Sequence, residues 1–469
     1  MQARDNAVDV ARLIDAGAWT GYQKWLVFLV ALTIVFDGID NQLLGIVIPT
    51  VMAEWDVPRS AFAPVVSFGY GGMMVGGLIA GFIGDRIGRR AALLGSMWVF
   101  GVLTVAAAFI GTSPMAWFQN VLATIGLGGD PTTALTVLRF LAGIGLGGAM
   151  PNAAALAAEY VPARMRPVAV TVTIVCVPLG GTLAGLLGIQ LLPAVGWRNL
   201  FVLGGIVPVV AAIALRWLLP ESPQFLARRR SRWVELVGVM KKIGHSLPTD
   251  TAFVDPGAGR GVQQASFGTL FSREYRRDTM ALWGSFFSCL LAVYLGFSWL
   301  TTLLTGAGFD PATANTGITA FNLGGVIGAL LGGVVISRLG SRMAMLSMTG
   351  VAIAGAAGLA TMTISPAASL IAIMAMLTLT GSMINGVQTT MYALAAHVYP
   401  TAVRARGVGT AVAFGRIGAF MVGFIGSWAA DMGGTNAFFA VVAGMMVVTF
   451  ISLALVTRHV PAADGAVRS

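Results

Sequence analysis

Two carboxylates stand inside a strongly apolar stretch of the chain: Asp37 and Asp40, in LTIVFDGIDNQLLG. In a helix, the i, i+3 spacing puts both on one face. An acid at the centre of a membrane helix costs about 2.5–3.5 kcal/mol on insertion scales. Such a pair must therefore face an aqueous cavity or a basic partner. There it binds a proton, positions a substrate, or is held as a structural pair by a buried arginine. Two arginines lie in similar surroundings, Arg139 in RFLAGIGLGGAMPN and Arg416 in FGRIGAFMVG. A guanidinium does not lose its proton in a protein, and its fork matches a carboxylate. Each arginine needs an acid of the chain or an anionic ligand, and both readings stay open for both. The glycines around them remove bulk and allow close helix packing.

A second group of charges sits in short polar connections. GDRIGRR carries Asp85, Arg86 and Arg89, and EYVPARMR carries Glu159 and Arg166. HVYPTAVR carries His397 and Arg404. Pairs of this kind hold one conformer closed and break in another; ordinary topology-setting charge is the alternative. His397 titrates near neutrality and is either part of proton transfer or a solvated surface residue. Aromatics crowd one apolar run (Phe286, Phe287, Tyr294, Phe297, Trp299), and Phe321 and Asn322 follow in the next. These side chains either stack on a flat ligand or pack against helices and lipid.

The elements that position these groups follow from composition. The chain has 469 residues, 57% of them hydrophobic and 10% charged, where a soluble domain carries about 25% charge. It is an integral membrane protein whose surface meets the lipid bilayer. A spanning helix needs roughly 20 apolar residues, and two sets of six such runs occur. The expected architecture is all-α, with twelve transmembrane helices in two pseudo-symmetric six-helix bundles. The bundles cover 24–219 and 279–457. An N-terminal segment (1–23), a polar linker with short surface helices (220–278) and a tail (458–469) complete the chain. The 29 basic residues fall almost entirely on the side of both termini. Arg59 and Arg198 lie opposite, and Arg139, Arg216 and Arg416 lie within spans. By the positive-inside rule both termini are cytoplasmic, which places the protein in the inner (plasma) membrane. The N-terminus lacks the apolar core and cleavage site of a signal peptide and leads directly into the first helix.

The halves repeat. Aligning Gly88 of GFIGDRIGRR with Gly340 of GGVVISRLGSR places Arg86 on Arg338 and Arg90 on Arg342, with Ser337 at the position of Asp85. EYVPARMR and HVYPTAVR match in the same way, through Pro162 with Pro400 and Arg166 with Arg404. Two six-helix halves with a site between them near mid-membrane is a transporter architecture.

Other classes lose support. The net charge of +10 comes without a nucleic-acid motif. Cys176 and Cys289 lie inside apolar runs and offer neither a disulfide framework nor a zinc site. No GxxxxGK[ST] loop is present, so ATP has no visible site. No nucleophile–base set appears, so no enzyme, cofactor or metal centre is expected. A membrane sensor would need an appended signalling domain. The expected partners are a small molecule and protons, and the expected state is a monomer.

GDRIGRR and RFLAGIG resemble the signatures of the major facilitator superfamily. Within it, DGID, RFLAGIGLGGAMPNAAALAAEYVPARMR, PESPQFL and NGVQTTMYALAAHVYPTAVRARGVGTAVAFGRIGA resemble the aromatic acid:proton symporters. The resemblance implies proton-coupled uptake of a benzoate-like acid. It implies functional roles for Asp37, Asp40, Asp85, Arg89, Arg404 and Arg416. PESPQFL also resembles a sugar-porter motif, but the aromatic run 279–304 lacks that family's Gln-rich pattern. PLGG at 178–181 only partly resembles the antiporter signature. The segment 112–134 is longer than the family's usual connection and is expected outside. A carrier for sugars or dicarboxylates, or an exporter, is the alternative.

Overall fold

The computed structural model describes residues 8–248, 251–254 and 267–462. Parts of the N-terminal segment, linker and tail (1–7, 249–250, 255–266, 463–469) lie outside the described residues. In chain order, the first half holds β1 (Val8–Asp9), α1 (Val10–Ala16), α2 (Gly21–Trp55), α3 (Phe62–Ile87) and α4 (Arg89–Ala107). It continues through α5 (Ala116–Thr124), α6 (Pro131–Tyr160) and α7 (Arg166–Leu218). The linker forms α8 (Pro223–Ala227), α9 (Trp233–Ile243) and β2 (Phe253–Val254). The second half holds α10 (Arg276–Gly306), α11 (Pro311–Thr361), α12 (Leu370–Val398) and α13 (Thr401–Leu455).

Among the described residues, nine helices are long and apolar enough to cross a membrane. Lipid offers no hydrogen bonds, so the backbone must satisfy itself, and helices do so locally. Three of the nine are double length: α7 has 53 residues, α11 has 51 and α13 has 55. Each breaks at glycine, at Gly196 (φ 77°), Gly340 (φ 75°) and Gly433–Gly434. A positive φ carries little penalty only for glycine, so these residues turn the chain back without a loop. Counted as two passes each, the broken helices bring nine to the expected twelve.

Helix starts are written locally. Thr20 and Gln23 form a capping box at the head of α2. Asp130 and Asp310 cap α6 and α11, each followed by Pro at the first position.

The two halves touch at mid-depth and toward the face opposite the termini, here the distal face. Phe68 of α3 meets Phe420 of α13 edge-on, with ring centroids 5.7 Å apart. Arg59 and Asp431 pair across the halves at 3.8 Å at the distal end. Backbones approach closely where glycine permits. A Cβ on Gly45 of α2 would lie 2.6 Å from the Phe297 carbonyl and 3.1 Å from Ser298 Cα, both on α10. Backbone cannot step aside as a side-chain tip can. Gly45→Ala is therefore expected to part the distal face. Overpacking of this kind costs about 1–3 kcal/mol, so uptake should fall ~10-fold. Labelling of Ser427→Cys by an impermeant maleimide should rise with it. Unchanged labelling and uptake would show that this contact does not hold the distal face shut.

The terminal face carries a small second core. Val10 and Ile14 of α1 bury against Leu226, Leu236, Met240, Ile243 and Phe253. β1 pairs with β2 in parallel, Val8 with Phe253. The N-terminal segment thus docks on the linker before the first spanning helix begins, rather than running directly into it. A hydropathy window registers only long apolar runs, and this amphipathic turn is short. The segment 112–134 forms α5 on the distal side, with Trp117, Ile125 and Leu127 exposed.

Candidate functional site

The two acids of α2 share a helix face but have separate partners. Asp40 is fully buried. Arg139 Nη1 donates to its Oδ2 at 3.1 Å, and Thr104 Oγ1 donates to its Oδ1 at 2.5 Å. Helices α2, α4 and α6 thus meet on one carboxylate inside the first half. Arg139 also lies over the Phe201 ring at 5.1 Å. Its Nε and Nη2 are buried without a hydrogen-bond partner. A cavity of about 30 Å³ beside it is lined by Asn41, Tyr70 and Ser298 among others, room for roughly one water.

Asp37 makes no such pair. It is buried, and its Oδ1 has no hydrogen-bond donor. Arg416 of α13 and Asp40 are the charges within electrostatic reach. Arg416 Nη1 donates to the Tyr294 hydroxyl at 3.2 Å. Unlike the two acids, Arg416 keeps accessible surface.

Around Arg416 the sequence-predicted aromatics sort into two groups. Tyr294 stands edge-on to Phe297 at 5.7 Å, and Phe297 edge-on to Phe321 at 6.1 Å. Trp299 instead turns away, fully buried, and its Nε1 donates to the Val422 carbonyl at 3.1 Å. Phe286 packs edge-on against Tyr392. Asn322 is reciprocally bonded to Gln42 across the halves, at 2.8 and 2.7 Å.

Several site residues are absent from the sequence reading: Tyr70, Asn41, Gln42, Thr104, Ser298 and Tyr392. Tyr70 bonds Ser298 Oγ at 2.8 Å and donates to Asn41 Oδ1 at 3.3 Å. Its ring lies 4.6 Å from Tyr294. A usable signal was present: the chain has only 7 tyrosines, and Tyr70, Tyr294 and Tyr392 all fall within spans.

The terminal-face charges divide as well. Arg89 Nη2 bonds Asp85 Oδ1 at 2.5 Å, and its Nε lies 3.7 Å from Glu159. Ser222 Oγ donates to Glu159, and Glu221 Oε1 accepts from the Arg90 backbone at 2.8 Å. PESPQFL therefore joins this cluster, which lies wholly in the first half. Arg86 stands apart, over the Phe82 ring at 5.9 Å. Arg166 pairs with Asp15 of the N-terminal segment at 2.7 Å. Arg404 Nε donates to the Tyr399 carbonyl at 3.2 Å within its own half. His397 is exposed. The repeat-related loops therefore do not present matching charges to one another here. Each has found a nearer partner.

Comparison with known proteins agrees with this architecture. The family model of the major facilitator superfamily matches residues 30–386 and 281–468. A gallate transporter of Pseudomonas putida is 33% identical over 437 residues, 92% of this chain and 90% of that protein. A 4-hydroxybenzoate transporter of Acinetobacter baylyi is 34% identical over 464 residues, 96% and 93% of the two chains. The inward-open xylose transporter of E. coli superposes with a TM-score of 0.73 at 17% identity, covering 95% of this chain and 99% of that one. That likeness concerns the fold alone. The chain belongs to the major facilitator superfamily.

Proposed function

We propose that this protein is a secondary transporter that couples a proton to the uptake of an aromatic carboxylate. One observation carries the reading. Arg416 is a partly exposed residue whose guanidinium is held by Tyr294, with the buried acid Asp37 within electrostatic reach. The resemblance to gallate and 4-hydroxybenzoate transporters points to the same substrate class. The substrate carboxylate meets Arg416 through its fork. The ring lies against Tyr294, Phe297 and Phe321. The terminal face, rich in arginine, is cytoplasmic by the positive-inside rule, and the membrane is the inner one.

The coupling follows from charge. An ionised Asp37 competes with the substrate carboxylate for Arg416. A proton on the undonated Oδ1 removes that competition, so proton and anion bind together. Carrying the anion alone into a negative interior costs about 2.3 kcal/mol per 100 mV, and the proton cancels that charge. Asp40 is the second acid on the route. Protonating it releases Arg139 and Thr104 and loosens α2 from α4 and α6. The halves then rock about their contacts, while the Asp85–Arg89–Glu159 cluster opens and closes the terminal side.

Proteoliposomes test this. Labelled 4-hydroxybenzoate should accumulate when the outside is acid, a protonophore should collapse it, and xylose should not compete. Uptake indifferent to the imposed gradient would remove the proton. Competition by sugars but not by benzoates would change the substrate class.

A further inference from the structure

Each half carries a basic groove that the transport site does not use. The first, about 260 Å³, is lined by Arg90, Trp98 and Arg216 among others. The second, about 710 Å³, is lined by Arg342, Phe450 and His459 among others. The internal repeat relates them. The register that sets Gly88 on Gly340 also sets Arg90, Ala91, Leu94 and Gly95 on Arg342, Met343, Leu346 and Ser347. All eight residues line their grooves. The same turn of the repeated helix therefore builds both.

The chemistry of the first groove is specific. Arg90 Nη1 donates to the carbonyls of Arg216 (3.3 Å) and Leu219 (3.1 Å) at the end of α7. Carbonyls do not neutralise its charge. Arg216 is exposed, and among the described residues its guanidinium makes no hydrogen bond or ion pair. Among the described residues neither groove is lined by an acid. Glu221, the nearby carboxylate, is buried and committed to the backbone N–H groups of Arg90 and Ser222. The walls continue into the apolar surface that faces lipid. Trp98, Val102, Val210 and Ile213 are all exposed there, and Trp217 is 74% exposed beside Arg216. Tryptophan favours the level of the headgroups. Two cations above an apolar wall open to the bilayer match a phosphate headgroup above its acyl chains.

We propose that these grooves bind anionic phospholipid, one molecule per half, with the phosphate on Arg90 and Arg216 in the first half and on Arg342 in the second. The proposal does not depend on the transported substrate or on which face is cytoplasmic. Native mass spectrometry of the purified protein tests it, with phosphatidylglycerol and phosphatidylcholine offered in equal amounts. The wild type should retain phosphatidylglycerol preferentially. Arg216→Gln should weaken retention in one site about fivefold, the effect of one interfacial cation. Arg216→Gln combined with Arg342→Gln should lower the preference at both sites, most at the second, where Arg342 alone is assigned to the phosphate. Among the described residues neither the Arg216 nor the Arg342 guanidinium is bonded, so both variants should elute as the wild type does. Should the double variant misfold, Arg216→Gln alone still decides, by weakening retention at one of the two sites about fivefold. A folded variant that keeps the wild-type preference overturns the proposal. So does displacement of the lipid by inorganic phosphate at equal concentration, which would make the site one for a soluble anion.

Discussion

Asp37→Asn is expected to bind 4-hydroxybenzoate at every pH yet to lose gradient-driven accumulation. The amide is isosteric but cannot ionise, so Arg416 is permanently free of competition. In the wild type, one coupled proton makes apparent affinity fall about tenfold for each pH unit above the titration of the acid. In the variant that slope should vanish. Accumulation should fall to the level set by the substrate's own gradient, a loss of about tenfold for each unit of ΔpH applied. Isothermal titration against pH and uptake into proteoliposomes read the two halves of this expectation. A variant that keeps the wild-type slope and accumulates fully would take Asp37 out of coupling. Asp40→Asn should behave differently. It leaves Arg139 buried with one partner fewer, and breaking a buried ion pair costs about 3–5 kcal/mol, so its loss should show in stability as well as in transport.

The second large effect belongs to Arg416. Removing the charge in Arg416→Gln takes away the cation proposed to meet the substrate carboxylate. A desolvated charge-assisted contact is worth about 2–5 kcal/mol, so the dissociation constant should rise ~30-fold or more. Arg416→Lys should recover only part of this, because an ammonium cannot both fork onto a carboxylate and hold the Tyr294 hydroxyl. Tyr294→Phe separates the roles. It removes the hydroxyl that orients the guanidinium, and should weaken binding about tenfold to hundredfold, since a hydrogen bond to a charged group is worth about 1.5–3 kcal/mol. If Arg416→Gln bound substrate as tightly as the wild type, the carboxylate would have to be held elsewhere, with Arg139 the next candidate.

The spans and the acids and arginines of the site were legible because lipid imposes a severe constraint. Twenty apolar residues in a row are conspicuous, and so is any Asp or Arg that interrupts them. Polar residues that carry no charge are less conspicuous. Gln42, Asn41, Thr104, Ser298 and Tyr70 occur in apolar runs at little cost when bonded, so type alone does not separate site from packing. Trp299 illustrates the converse. It shares a helix with Tyr294 and Phe297, yet its indole is sealed against Val422 in α13. One helix presents several faces, and only the packing tells which face meets the site.

What the sequence by itself determined is the inventory: spanning helices in two repeated halves, two acids on one face of α2, and arginines in α6 and α13. Local physics sufficed for that, because span length, helix periodicity and repeat register are properties of nearby residues. The pairing was decided only by the tertiary structure. Asp37 and Asp40 look like a single dyad in the sequence. In the fold, Asp40 is tied within the first half to Arg139 and Thr104, while Asp37 has no such tie and lies within electrostatic reach of Arg416 in the second. Packing decides at the terminal face as well, where Arg166 pairs with Asp15 and Arg404 donates to the Tyr399 carbonyl of its own half. A charge joins whichever opposite charge the packing brings within a few ångströms, and that distance is not written in the spacing along the chain.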